Sequence, residues 1–251
     1  MAPVLVSWLS AVALILGLTG TAGASSSGTG LKLSFHAGWH AYREPALDMR
    51  LDGPLIGLKA VASPGALAGS AIEFETDLGS INYRSAASGR LDNALRIRTA
   101  TTLLLGPAAE GWRPRLGLAL TTEWTDLRGL TSGGAAGYQR FNRSLWLAAQ
   151  WRLLPWSLPD HPATVRAGVL VAGWHDSYLS QINPVYGDVT NRQRQGVSLA
   201  IDAPWQYEGW RGSLGLRVQR YGDSEIEWSP GLGTVFEPAN RSLDLRLSVQ
   251  Y

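Results

Sequence analysis

The sequence predicts an all-β fold, a transmembrane antiparallel up-and-down β-barrel of about ten strands, on three grounds. About ten segments alternate apolar and polar residues with a period of two. The connections between them are alternately short and long, as in bacterial membrane barrels. In the last nine residues, one face is apolar and the other carries full charges, which is typical of a strand that closes such a barrel. The apolar face of this last segment consists of Leu243, Leu245, Leu247, Val249 and Tyr251.

The composition excludes several other classes. The 251 residues are 45% hydrophobic, with a mean hydropathy of −0.04, which is too polar for a helical membrane protein and too apolar for a disordered chain. The chain has 29 Gly and 11 Trp but no Cys, so disulfide and thiolate chemistry are excluded. The formal net charge is +2, the charges are interspersed, and no basic stripe in the sequence indicates a nucleic-acid partner.

Residues 1–24 are expected to be a signal peptide. Residues 4–18 are almost wholly apolar and have the length of a signal-peptide core, although residues 1–10 contain no Lys or Arg. The small residues Ala22, Gly23 and Ala24 predict cleavage before Ser25. A buried N-terminal helix is the alternative. Residues 25–30 would then form a flexible lead-in, and residues 31–251 would form the barrel domain.

The first five predicted strands cover residues 31–42, 54–62, 71–84, 94–105 and 112–125. In each of them the polar face is expected to line the interior of the barrel. The first strand places His36 and His40 inside. The third, fourth and fifth strands carry the densest inward charge, from Glu73, Glu75, Asp77, Arg96, Arg98, Arg115 and Glu123.

The other five predicted strands cover residues 138–153, 163–177, 197–203, 211–219 and 243–251. The seventh has Val165, Val169 and Val171 on one face, but residues 167–174 are nearly all apolar and leave its register open. Most of the ten segments are long enough to cross a membrane at a tilt, and a count of 8 or 12 strands stays open. The inward charges of the last three strands are Asp202, Arg217, Asp244 and Arg246.

The connections predict the orientation of the barrel. Short connections follow the even strands and long ones follow the odd strands, which places both termini at the periplasmic rim and the long loops outside. Tryptophans are then expected in two interfacial girdles. The short-turn girdle would contain Trp112, Trp156, Trp205 and Trp210, and the opposite girdle Trp39, Trp124 and Trp174.

The inward charges predict a largely filled lumen, because a barrel of about ten strands has little free space. Opposite charges on neighbouring strands should pair across the ladder, so the acids of the third strand are expected to meet Arg96 and Arg98 of the fourth. The main interpretation is structural: these ion pairs hold the barrel together. A narrow polar conduit or a small-ligand site is the alternative.

The sequence contains few candidate catalytic or metal-binding residues. His175 and Ser177 form an H-x-S pair that resembles the pair in outer-membrane phospholipases and lipid A deacylases, and Asp188 or Asn191 stands near the spacing of a third member. A solvated rim is the alternative interpretation. The outer loops lack the D-x-D and D-x-H pairs of omptin proteases. No metal or cofactor is expected, and His36 and His40 are assigned to hydrogen bonding in the lumen.

The whole chain after residue 24 resembles small uncharacterised Gram-negative outer-membrane β-barrel proteins. The resemblance is carried by the alternating strands, the final aromatic and the motifs at residues 42–45, 137–140 and 188–193. It implies a location in the bacterial outer membrane, after cleavage near Ala24, in contact with membrane lipid and lipopolysaccharide. The resemblance also implies that the barrel-assembly machinery recognises the last strand. The expected function is that of a monomeric scaffold, surface binder or narrow porin-like channel, with an acyl hydrolase as the alternative.

Overall fold

The computed structural model describes residues 30–63, 70–106, 113–158 and 161–250, with the side chains of all but 154–158 and 161. The described chain is built of strands and two single turns of 3-10 helix, Pro45–Leu47 and Leu179–Gln181. None of its helices reaches the length and apolarity that crossing a membrane requires. The strands are β1 Leu31–Glu44, β2 Met49–Ala62, β3 Ala71–Ser85, β4 Gly89–Leu105, β5 Arg115–Asp126, β6 Gln139–Leu158, β7 His161–Ser177, β8 Val189–Gln193, β9 Gly196–Tyr207, β10 Trp210–Tyr221, β11 Glu227–Ser229, β12 Gly233–Val235 and β13 Asn240–Gln250.

Ten of these strands form one closed ring. Strands β1 to β7 pair antiparallel in chain order, β7 pairs with β9, β9 with β10, β10 with β13, and β13 with β1. Strand β8 continues the line of β9 and pairs with the last residues of β7, while β11 and β12 form a small separate hairpin. The predicted fold class, a closed antiparallel barrel of about ten strands, is confirmed.

The outer surface of the ring is apolar. Large apolar side chains point outward on all sides, and Phe35, Ile56, Leu116, Val169 and Leu247 are each more than half exposed. A protein surrounded by water rarely exposes so wide a continuous apolar surface. A membrane barrel needs such a band, with polar side chains on the alternate, inward positions. The architecture is that of an outer-membrane β-barrel.

The two rims of the barrel differ. Both ends of the ring, Leu31 and Gln250, lie at the rim with the short connections. The opposite rim carries the longer connections 127–138, 178–188 and 222–239. The expected loops near residues 43–53 and 85–93 are mostly strand instead, because β2 begins at Met49 and β4 at Gly89. Their inward side chains pack in a buried apolar cluster, so strand pairing continues beyond the predicted span.

Replacement of Leu245 by Arg tests the lipid-facing assignment of β13. Leu245 points outward at the middle of this strand, where a charge is costly in a bilayer, so we expect a loss of about 2–4 kcal/mol in unfolding free energy in lipid vesicles. The control is Ile226→Arg, in an exposed connection, which should change stability by less than about 0.5 kcal/mol. Equal losses for the two variants would contradict the assignment.

Candidate functional site in the barrel lumen

A cavity of about 480 Å³ occupies the lumen at the short-turn rim. Its walls carry charges of both signs, including Lys59, Glu73, Arg115 and Asp202. Glu73 accepts a hydrogen bond of 2.7 Å from Arg166 on β7 and lies 3.5 Å from the Lys59 ammonium on β2. Since β3 and β7 stand on opposite sides of the ring, the Glu73–Arg166 pair crosses the lumen, and Glu73 also lines this cavity.

The middle of the lumen is filled by a carboxylate that contacts three guanidinium groups. Glu75 on β3 accepts hydrogen bonds from Arg98 at 2.6 Å, from Arg217 at 2.8 and 3.0 Å, and from Arg246 at 2.7 Å. These arginines come from β4, β10 and β13, so the contacts link strands that are not neighbours. All four side chains are largely buried, and such charges are stable only when they are paired and hydrogen-bonded.

Asp77 extends this network toward the long-loop rim. It binds Arg98 at 3.1 Å, Arg246 at 2.9 Å and the Nε2 atom of His36 at 2.6 Å. His36 lies on β1 and reaches Asp77 on β3 across Gly57 of β2, which is in register with both. A Cβ atom at residue 57 would collide with the His36 ring, so the glycine leaves the space for this contact.

Asp244 is the third carboxylate of the network. It lies 2.7 Å from Nδ1 of His40, its direct neighbour on β1, and accepts a hydrogen bond of 3.1 Å from Arg246. The residues opposite Arg246 on both neighbouring strands are Gly38 and Gly215, which leaves room for its side chain to turn across the lumen. Both histidines therefore bind carboxylates.

The predicted pairing between β3 and β4 is only partly observed. Arg98 meets Glu75 and Asp77 as expected. Arg96 instead pairs with Glu123 on β5, at 2.6 Å, and Glu73 pairs across the lumen. The Arg96–Glu123 pair still joins adjacent strands, but on the other side of β4. The Glu73–Arg166 pair forms because a long arginine side chain in a narrow barrel can reach the far wall.

A second polar cluster near the long-loop rim was not predicted from the sequence. Arg140 on β6 hydrogen-bonds Glu44 at 2.9 Å and also Glu237, and Tyr42 donates to the same two carboxylates at 2.5 and 3.0 Å. Glu237 belongs to the connection between β12 and β13, which folds into the mouth of the barrel. The sequence placed Glu44 and Glu237 in loops, and nothing in their local pattern marks them as buried.

An apolar layer lies inside the barrel beside this cluster and was also missed. Its members are inward-facing residues of the extended strand ends and of the connection after β5, with Tyr83 and Leu91 packed against them. Apolar inward residues break the alternation that the sequence analysis relied on. The layer consists of Tyr42, Met49, Leu51, Ile81, Ala94 and Leu127.

Trp146 fills the lumen rather than an interfacial girdle. It is almost fully buried, stacks edge-on against Tyr221 at a centroid distance of 5.3 Å, and donates its indole N–H to Ser144 at 2.9 Å. The β6–β7 register shifts between Leu145 and Trp146. The lumen is thus filled by aromatic packing as well as by charge.

The contacts of His175 are those of an ion-pair cluster rather than of a nucleophile and its base. Its Nε2 atom accepts a hydrogen bond of 3.1 Å from Arg140 and lies 3.4 Å from a Glu237 oxygen. Ser177 hydrogen-bonds the phenol of Tyr138, whose pKa is raised by burial, so the phenol stays protonated and cannot serve as a base. Asp188 accepts from the Ser180 backbone N–H at 2.9 Å.

The predicted girdle tryptophans can be placed in part. Trp39 and Trp210 are exposed on the outer surface, and Trp124, Trp174 and Trp205 are half-buried. Trp205 and Trp210 flank the short connection between β9 and β10, whereas Trp174 lies in the half of β7 nearer the long loops, under the Arg143 guanidinium. Trp112 and the Trp156 side chain lie outside the described residues.

The residues of the predicted assembly signal lie on one outward face of β13. Leu243, Leu245 and Leu247 are exposed, Val249 is half-buried, and Tyr251 lies outside the described residues. Across the described ranges, no group of three or more His, Asp or Glu side chains is arranged to hold a metal ion.

Comparison with known proteins gives distant structural similarity only. No family model and no curated protein matches the chain. Among solved structures, the chain is similar to the translocator domain of the autotransporter NalP from Neisseria meningitidis, with 12% identity, a TM-score of 0.43 and coverage of 98% of each chain. The closed ring of strand pairs, and not this similarity, defines the fold.

Replacement of Glu75 by Gln tests the central network. The variant leaves three buried guanidinium groups without their shared carboxylate, so we expect a loss of about 3–5 kcal/mol in unfolding free energy in lipid vesicles. The control Asp126→Asn removes a carboxylate whose partner, Arg128, is solvent-exposed, and it should have a far smaller effect. A Glu75→Gln barrel as stable as the parent would refute the role assigned to this network.

Proposed function

We propose that this chain is a monomeric barrel of the bacterial outer membrane with a closed lumen, which acts as an envelope scaffold and presents its loops at the cell surface. The apolar outer face supports a membrane location, and the inward charges support the bacterial outer-membrane type. The difference between the two rims supports an orientation with the termini in the periplasm. Residues 1–24 would be removed on export, with cleavage near Ala24.

The filling of the lumen carries this proposal. The Glu75 network links β3, β4, β10 and β13 through contacts of 2.6 to 3.0 Å. Nearer the long-loop rim, the Arg140 cluster and the apolar layer fill the lumen at a second level. An ion would have to break several charge-assisted hydrogen bonds and then cross an apolar layer, and both steps are costly. These obstacles favour a scaffold over a porin-like channel.

The long connections support a surface-binding role. Several large apolar side chains in them are strongly exposed, among them Leu130, Ile226 and Trp228, and Trp228 lies on the β11–β12 hairpin. Exposed apolar groups that are clustered at one end of a protein are typical of interaction surfaces. The hydrolase alternative is not favoured, because His175 is held by Arg140 and Glu237.

Conductance in planar bilayers tests the closed lumen. The full chain, inserted in a bilayer of bacterial lipids, should give no steady channel openings, because the lumen is filled at two levels. Insertion is checked by the change in gel mobility on heating, and a general porin under the same conditions is the positive control. Steady openings of uniform size would overturn the scaffold proposal in favour of a channel.

Recognition of the last strand by the barrel-assembly machinery is part of this proposal. Exposed leucines alternate with inward charges along β13, and the aromatic residue Tyr251 follows this strand in the sequence. Deletion of Tyr251 should lower the amount of folded protein in the outer membrane several-fold, as measured by surface labelling of intact cells. The conservative change Tyr251→Phe keeps the aromatic ring and should leave that amount unchanged. Normal surface abundance of the deletion variant would contradict the proposal that the assembly machinery recognises this strand through its terminal aromatic residue.

A further inference from the structure

Six arginines stand in one continuous row across six neighbouring strands. In the strand registers, each arginine lies directly opposite the next one, from β10 through β13, β1, β2 and β3 to β4. The residues are far apart in the sequence, and only strand pairing brings them together. This arginine row consists of Arg220, Arg241, Arg43, Arg50, Arg84 and Arg90.

The arginine row faces outward at the long-loop edge of the apolar band. All six side chains are exposed, and they alternate with inward residues such as Tyr42 and Glu44. The next outward positions toward the middle of the barrel are apolar and exposed on two strands, Leu243 on β13 and Val218 on β10. On β2, β3 and β4 they are polar: Asp52, Asn82 and Asp92. The row therefore lies within the polar rim and meets the apolar band directly on β10 and β13.

The fold gives the arginine row few internal counter-charges. Arg90 lies 3.4 Å from Asp92, and within the described residues the other five arginines form no ion pair. Like charges directly opposite each other on antiparallel strands destabilise a sheet. Five such like-charge pairs in succession have no structural benefit in this chain, so the arrangement indicates an external anion.

The geometry suits several phosphates rather than one small anion. Neighbouring strands are about 4.8 Å apart, so six strands spread the guanidinium groups over roughly 24 Å. Part of the row lines an open groove of about 320 Å³, formed by Arg50, Arg84 and Arg90 together with Asp48 and Ser132. Planar guanidinium groups bind phosphate oxygens in pairs, which favours arginine over lysine at such a site.

We propose that the arginine row binds the phosphate groups of lipopolysaccharide in the outer leaflet beside the barrel. The ligand would lay its acyl chains along the apolar band and its phosphorylated headgroup against the arginines one step above. The position of the row at the edge of the apolar band, which it meets directly on β10 and β13, favours this amphiphile over a soluble anion or a nucleic acid. The inference rests on the proposed outer-membrane location and adds to it a defined headgroup site.

Binding of fluorescent lipopolysaccharide to the purified, folded full chain in detergent tests the proposal. The triple variant R43Q/R50Q/R84Q removes the middle of the row, and we expect its affinity to fall about 10- to 100-fold, with a weaker dependence on salt. The control R128Q/R194Q/R211Q removes the same charge from exposed arginines outside the row and should bind within threefold of the parent. Equal affinity of parent and triple variant would overturn the proposal.

Competitors distinguish the source of the phosphate. Unlabelled lipopolysaccharide should displace the probe, while its dephosphorylated form, inorganic pyrophosphate and phosphatidylglycerol vesicles should do so at least tenfold less well. Displacement by pyrophosphate alone at low concentration would show a soluble-anion site and refute the lipid assignment. Heat-dependent gel mobility is measured for every variant, so failure of the barrel itself is distinguished from loss of headgroup binding by a folded barrel.

Discussion

The burial of Glu75 among three arginines is the constraint on which the rest of the lumen depends. The carboxylate and its partners come from β3, β4, β10 and β13, so the ion pairs form only when the ring has closed. Charges buried in this way are stable as a complete set and costly as an incomplete one. The network therefore stabilises the closed ring. It also disfavours any other arrangement of the strands, because such an arrangement would leave one of the buried charges without its partner.

The lumen changes character from one rim to the other. An open charged cavity at the short-turn rim is followed by the Glu75 network, then by Trp146 and Tyr221, and finally by the Arg140 cluster and the apolar layer. Beyond the cavity, ion pairs, aromatic rings and apolar side chains fill the lumen in turn. The order leaves the interior accessible from the side of the termini and closed toward the long loops, which is consistent with a scaffold whose external contacts are made by loops.

On the same strands, the side chains that alternate with the inward polar residues point outward and are mostly apolar. Apolar side chains cover the middle of the ring, and the arginine row defined by Arg220 and its five neighbours lies above them. Inside the barrel, arginines are neutralised by carboxylates of the chain itself. Outside, five of the six lack such partners among the described residues, and this contrast is the reason to assign their counter-charge to the membrane.

The sequence by itself determined the barrel, its approximate strand number and the inward side of most charges, because a two-residue period fixes the face of each residue on a strand. Tertiary structure decided which charges meet. Arg96 binds Glu123 of the neighbouring strand β5 rather than an acid of β3, and Glu237 enters the lumen from a loop and binds Arg140 of β6. The arginine row was likewise invisible in the sequence, because register, which the local pattern does not encode between distant segments, aligned its six members.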